Sequence, residues 1–270
     1  VEAAFFDLDK TIISRSSSLA LSGPLYRAGM VSRGQLLRGA YAQLVYLLVG
    51  ADEAKMERLK EGMLALTKGW NRGRLEALVD EVILEVIDPH VYQEALDLIA
   101  LHRSEGRQVF IVSSSPEEVV RPLARHFGVS GVIATQAATD VEGNYTGELS
   151  FYAYGERKAD AIRERAASLG IDLERSFAYS DSATDLPMLA AVGRPVAVNP
   201  DRELRKEAEE RGWQVRDFRR PVRLQGGLPG RLRLGGLVAA GAAAIGVAGV
   251  LVWVVLRSRA RRTGAERSSG

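Results

Sequence analysis

Ala3-Ala4-Phe5-Phe6-Asp7-Leu8-Asp9-Lys10-Thr11 is the stretch that decides the fold. Four apolar residues break off at once into two carboxylates and a short polar turn. A run of that length and character reads as a strand buried on both faces, the kind a parallel sheet requires. Ligands of open parallel sheets sit beyond the carboxyl ends of the strands, so Asp7 and Asp9 stand where chemistry is expected. Two carboxylates two residues apart can divide phosphoryl transfer between them, one attacking phosphorus and the other handling the proton. A solvated acidic turn is the plainer alternative.

Residues 18–87 carry helical spacing and no convincing strand. Met56, Leu59, Met63 and Leu66, then Leu75, Leu78, Val82 and Val86, illustrate the period. From Pro89 the pattern alternates. Helices are expected at 91–105, 116–127, 156–169, 185–191 and 202–211, and strands at 108–112, 132–134, 177–180 and 195–198. A hairpin-like turn is expected within 139–148, at Glu142-Gly143-Asn144-Tyr145. Repeated strand–helix units predict an α/β fold with a Rossmann-like parallel sheet covered by helices. The strand-free segment then becomes a helical insertion after the first strand. The expected division is 1–17 with 88–218 as core, 18–87 as helical cap, 219–233 as linker, 234–256 as a transmembrane helix and 257–270 as a basic tail.

The transmembrane expectation rests on 234–256, which contains no charged residue and lies between Arg231 and Arg233 on one side and Arg257, Arg259, Arg261 and Arg262 on the other. A helix of that length can cross a hydrocarbon core of about 30 Å. Its Ala- and Gly-rich stretch can support helix-mediated self-association. Basic residues crowd both flanks; the linker arginines Arg216, Arg219, Arg220 and Arg223 favour a single-pass membrane protein with its catalytic domain in the cytoplasm. The net charge of +2 carries no overall bias toward nucleic acid, and the absence of cysteine excludes disulfides, zinc–thiolate sites and cysteine nucleophiles. Because Val1 to Leu8 already reads as a core strand, no secretory signal is expected.

Three more pieces of chemistry fall at expected strand ends. Ser113-Ser114-Ser115-Pro116 follows the strand at 108–112, where a hydroxyl and helix-start N–H groups can hold phosphate oxygens; an ordinary helix cap explains a lone serine equally well. Lys158, the one lysine between Lys68 and Lys206, opens the helix at 156–169 and could neutralise phosphate charge; taken alone it reads as a surface lysine. Ser180-Asp181-Ser182-Ala183-Thr184-Asp185 again ends a strand in acids, and Asp181 and Asp185 are hard oxygen donors suited to Mg²⁺. Favourable acids at a helix start would look the same. What unites the four is their order, each at a carboxyl end.

These residues resemble the haloacid dehalogenase superfamily, in its phosphoserine-phosphatase-like branch. The resemblance covers roughly residues 3–215. It implies a phosphatase acting on a phosphate monoester, with Asp7 as a nucleophile that becomes an aspartyl-phosphate and Asp9 as the acid–base group. It implies that Ser113, with Ser114 beside it, and Lys158 bind the phosphoryl group. Mg²⁺ would be held by the Asp7 carboxylate, the Asp9 carbonyl and Asp181, with Asp185 and Thr11 in support. Asp9-Lys10-Thr11 also resembles the phosphorylated triplet of ion-pumping ATPases; Asp9 lying two residues beyond Asp7 makes the hydrolytic register the stronger. Two rivals are a phosphotransferase of the same family and a catalytically idle, membrane-tethered binding protein.

One departure bears on substrate. Phosphoserine phosphatases carry a glutamate shortly after the first motif, whereas this chain has Ser14-Arg15-Ser16-Ser17-Ser18 and no acid before Asp52. That weakens phosphoserine. Relatives in the branch include histidinol-phosphate phosphatases and a phosphatidylglycerophosphate phosphatase, so the expected substrate is a small or lipid-linked phosphate monoester.

Overall fold

Burial on both faces of the first strand organises the molecule. The computed structural model describes residues 1–32, 34, 62, 64–219 and 221–222. Strand β1 (Ala3–Phe6) is wholly buried and lies parallel between β3 (Gln108–Pro116) and β6 (Phe177–Ser180). Successive side chains alternate between two cores. Ala4 and Phe6 join one cluster with Ile111, Ile99 and Leu123; Ala3 and Phe5 join the other with Phe110, Ile162 and Met188. Phe6 stacks on Tyr179 at 4.2 Å and Phe5 on Phe110 at 5.4 Å between ring centroids. Each buried Phe contributes roughly 1.5–3 kcal/mol, so a four-residue strand can anchor the sheet.

The sheet has seven strands in the order β5-β4-β3-β1-β6-β7-β8. To those above are added β4 (Gly131–Thr139), β5 (Tyr145–Phe151), β7 (Arg194–Val198) and β8 (Gln214–Arg216); only β5 runs antiparallel to its neighbour. Helices α3 (Gln93–Ser104), α4 (Glu117–Phe127), α5 (Glu156–Leu169), α6 (Leu186–Ala190) and α7 (Arg202–Glu210) cover the faces. Helices α4 and α5 both end in a left-handed glycine, Gly128 at φ 63° and Gly170 at φ 65°, where a side chain would clash with the following carbonyl. The Rossmann-like parallel sheet is as expected. Strand β4 is longer than 132–134, because its far half pairs with β5 to form the hairpin whose turn the sequence shows. Strand β8 was not expected at all; three residues, one exposed and two half-buried, leave little period to read.

Two findings show how the insertion and the segment after β8 join the rest of the fold. Helix α1 (Ser17–Arg27) and helix α2 (Arg72–Ile87) belong to the strand-free insertion, and residues 64–67 are helical as well. Helix α2 buries Val79, Ile83 and Ile87 in the same cluster as Phe6, so the insertion rejoins the core along its last helix rather than standing clear of it. The chain re-enters through a clamp on the β4–β5 hairpin. Gly69 N–H donates to the Tyr145 carbonyl at 2.8 Å, Tyr145 N–H to Trp70 at 2.9 Å and Arg72 N–H to Gly143 at 2.9 Å. The rest of the expected cap lies largely outside the described residues.

The second finding concerns 219–233, expected as linker. Pro221–Val222 forms strand β9, antiparallel to β2 (Val91–Tyr92). No helix among the described residues is long and apolar enough to cross a membrane. The expected transmembrane helix at 234–256, the tail at 257–270 and any self-association through them lie outside the described residues.

Candidate active site

The carboxyl end of β1 opens at the point where the strand order departs to both sides, toward β3 and β6. Such switch points leave a crevice between the loops. Asp7 follows β1 directly, with its N–H held by the Tyr179 carbonyl at 2.9 Å. Lys10 then takes φ 63°, a left-handed conformation uncommon in a residue with a side chain. That turn keeps Asp7 and Asp9 at the same edge.

Lys158 reaches the site from the first turn of α5, launched by Gly155 at φ 55°. Its ammonium donates to Asp7 Oδ1 at 2.8 Å and to Asp185 Oδ2 at 2.9 Å. Ser180, at the end of β6, donates to the same Asp185 oxygen at 2.7 Å. All four groups are buried. Asp185 therefore holds Lys158, and Lys158 holds Asp7.

Asp9 is held by a different set. Ser17 donates its N–H to Asp9 Oδ1 at 2.8 Å and its hydroxyl lies 3.3 Å from Oδ2, while the Ser115 hydroxyl donates to Oδ2 at 3.0 Å. The two serine hydroxyls stand 2.9 Å apart. Ser17 is the first residue of α1 and Ser115 lies at the carboxyl end of β3, so insertion and core meet on one carboxylate. Ser113 is buried and accepts from Ser115 N–H at 3.1 Å. Asp181 lies 3.9 Å from Lys10, and its carbonyl accepts from Asp201 N–H at 2.8 Å.

Of the residues singled out, Asp7, Lys158 and Asp185 share direct contacts, Asp9 and Ser113 join through Ser115, and Asp181 faces the group across Lys10. Ser114 is exposed, and among the described residues no contact draws it into the cluster. Thr11 is fully buried with a hydroxyl that finds no hydrogen-bond partner among the described residues. Ser17, Ser115, Ser180 and Lys10 were missed. The serine runs at 14–18 and 113–115 were visible, but nothing local says which hydroxyl turns inward.

The charges do not balance. Four carboxylates, those of Asp7, Asp9, Asp181 and Asp185, surround one buried ammonium. Burial raises Asp7 well above the usual carboxylate range; Lys158 opposes the rise, and Asp185 and Asp181 reinforce it. Burial pushes Asp181 up to about 7, against the pull of Lys10. Burial also raises Asp9, and the bonds from Ser17 and Ser115 work against it. Burial pulls the Lys158 ammonium down, but Asp7 and Asp185 override it and raise its pKa. A site so short of positive charge is built for a cation. Among the described residues no three His, Asp or Glu side chains form a closed metal cage. Mg²⁺ does not need one, since it commonly binds through one or two carboxylates and keeps several waters. The interacting pair Asp7 and Asp181 fits that demand.

A family model for haloacid dehalogenase-like hydrolases matches residues 4–190. The chain belongs to that family. This hydrolase is 51% identical over 263 residues to the "inhibition of morphological differentiation protein" of Streptomyces azureus, covering 96% of this chain and 94% of that one. It is 50% identical over 227 residues to a probable phosphatase of Mycobacterium tuberculosis, covering 84% and 79%. Relatives at lower identity are named phosphoserine phosphatase and histidinol-phosphatase. A solved structure from Bordetella pertussis, of unknown function, superposes with a TM-score of 0.70 at 32% identity, covering 80% of this hydrolase and 98% of that chain.

Proposed function

We propose that this hydrolase is a Mg²⁺-dependent phosphatase that cleaves a phosphate monoester through an aspartyl-phosphate on Asp7. The observation that carries the reading is the buried Lys158 bridging Asp7 and Asp185 at the carboxyl edge of the sheet, with Asp9 fixed beside them. The bond from Lys158 occupies Asp7 Oδ1 and turns that carboxylate in one direction. Its other oxygen attacks phosphorus, and the bond from phosphorus to the ester oxygen breaks. Asp9 gives its proton to the departing alkoxide. A water then attacks the same phosphorus as Asp9 takes back a proton, which frees Asp7 and releases inorganic phosphate.

Lys158 and Ser113 hold phosphoryl oxygens, and Ser17 and Ser115 hold Asp9 against rotation. The Asp7 and Asp181 carboxylates and the Asp9 carbonyl would hold Mg²⁺, which supplies positive charge where the phosphoryl group gathers negative charge. Residues 234–256 anchor the enzyme in a membrane as a single span, with the catalytic unit in the cytoplasm. Support for that comes from the uncharged run and its basic flanks alone.

The test is phosphate release from an aryl phosphate with and without Mg²⁺, repeated with Asp7→Asn. Loss of at least about a thousandfold in kcat is expected, because the amide cannot act as the nucleophile. Equal rates in the two proteins would overturn the assignment.

A further inference from the structure

Both ends of the helical insertion are seated on one short turn of the core. That turn is Ser113-Ser114-Ser115-Pro116-Glu117-Glu118, which ends β3 and opens α4. At the entry, the Ser17 and Ser115 hydroxyls stand 2.9 Å apart, and both residues hold Asp9. At the return, Arg72 is the first residue of α2. Its Nε lies 3.3 Å from Glu118 Oε1 and 2.9 Å from Glu76 Oε1, and its Nη2 lies 3.6 Å from Glu117 Oε2.

The contact differs from a surface ion pair. The Glu117 and Glu118 side chains are only 8% and 3% exposed. Helical geometry sets neighbouring side chains about 100° apart, so a cation that serves both must be broad. A guanidinium is a planar fork, whereas a lysine ammonium is a point. Among the described residues Arg72 is the one cation paired with Glu118. Glu117 has further donors, Arg121 at 2.7 Å and Gln136 at 3.3 Å.

The backbone of Arg72 is itself anchored. Its N–H donates to the Gly143 carbonyl at 2.9 Å, and Asn71 caps α2 by accepting from Arg74 N–H at 3.2 Å. The guanidinium therefore reaches the glutamates from a fixed origin. Pro116, between Ser115 and Glu117, has no N–H with which to brace the turn. The direction in which Ser115 points then depends on how the two glutamates beyond it are held.

We infer that Arg72 is a positioning residue for proton transfer at Asp9: by gripping Glu117 and Glu118 it fixes the turn that aims the Ser115 hydroxyl at Asp9 Oδ2. The inference rests on the phosphatase reading and adds to it a residue that acts through Ser115. Loosening the grip lets Ser115 drift and Asp9 turn, so proton delivery slows more than attack on phosphorus. Esters with a poor leaving group suffer most, because their oxygen departs only with the proton.

The test compares kcat/KM for phenyl phosphate, which needs the proton, with that for 4-nitrophenyl phosphate, which needs it little, using the full chain with Mg²⁺. Arg72→Lys keeps the charge and loses the fork. It should lower kcat/KM for phenyl phosphate roughly fivefold, part of the tenfold or so that a hydrogen bond to a charged group is worth. The value for 4-nitrophenyl phosphate should fall no more than about twofold, so the ratio widens. Glu118→Gln weakens the same grip from the other side and should widen the ratio likewise. Arg125→Ala is the control. Arg125 pairs with Asp80 at 2.5 Å, about two turns further along α4 and α2, and so ties the same helices away from the turn. A merely structural role for the α2–α4 contact would move the ratio equally in all three variants, or in none. An unchanged ratio in Arg72→Lys or Glu118→Gln, or an equal shift in Arg125→Ala, would overturn the inference and leave the phosphatase reading standing. A parent enzyme inactive on both esters would overturn the two together.

Discussion

Strand β6 serves two buried polar clusters, and they obey opposite rules. Tyr179 points into the first. Its hydroxyl is 2.8 Å from His102 Nε2, and Arg107 stands 3.1 Å from His102 Nδ1. Because Arg107 can only donate, Nδ1 accepts and Nε2–H donates to the tyrosine. Arg107 is in turn bound to Glu2 at 2.8 Å. The His102 and Arg107 donors find acceptors, and the ring is neutral. One residue further on, Ser180 and Asp181 enter the second cluster, where carboxylates outnumber cations. A satisfied network fixes a fold; a network with surplus charge is one that a ligand must complete.

The comparison can be broken most severely at Lys158. Lys158→Met leaves Asp7 and Asp185 buried without a counter-charge and removes the hold on Asp7. Activity on an aryl phosphate should fall about a thousandfold or more. If the deficit of positive charge is the defining property, Mg²⁺ should raise the unfolding temperature of this variant more than that of the parent, as a thermal melt would show.

His102 tests the other side. Burial lowers its pKa to about 4, with Arg107 adding to the effect. Above pH 6.5 the ring is neutral folded and unfolded, so it adds no pH dependence. Below that the unfolded chain takes up a proton that the folded chain refuses until about pH 4, so stability is lost as pH falls through this window. The loss is about 1.4 kcal/mol per unit, close to 3 kcal/mol in all. His102→Gln should flatten the stability profile between pH 7 and pH 5 by about 2 kcal/mol in urea unfolding, with kcat at pH 7 little changed. An unchanged slope would mean the ring is not held neutral.

The smallest effect is expected at Ser115, which acts through Asp9. Ser115→Ala should lower kcat by roughly tenfold, the worth of one hydrogen bond to a charged group, with KM for the aryl phosphate nearly constant. Ser115→Thr, which keeps the hydroxyl, should recover most of the rate. A change confined to KM would place Ser115 on the substrate instead.

Much of the site was legible because each motif announces itself locally. Asp7 and Asp9 follow an apolar run, Asp181 and Asp185 follow another, and a parallel sheet sends all such ends to one edge. Lys158 was legible by scarcity, as the lone lysine in a long arginine-bearing stretch. The serines were not legible. Three adjacent hydroxyls at 113–115 look alike in sequence, yet Ser113 and Ser115 are buried while Ser114 is exposed. The edge strand β8 was invisible for a related reason, since three partly exposed residues carry no period.

The amino-acid sequence by itself determined the order of chemistry along the chain, the parallel sheet and the edge where the acids gather, because strand burial and strand ends are local signals. Only the tertiary structure decided that Asp9 is gripped by Ser17 and Ser115, that α2 belongs with the core, and that Pro221 and Val222 pair with β2. Apart from the bond of Ser17 to Asp9, those facts join residues far apart in sequence, and no local preference encodes which distant groups the packing will bring together.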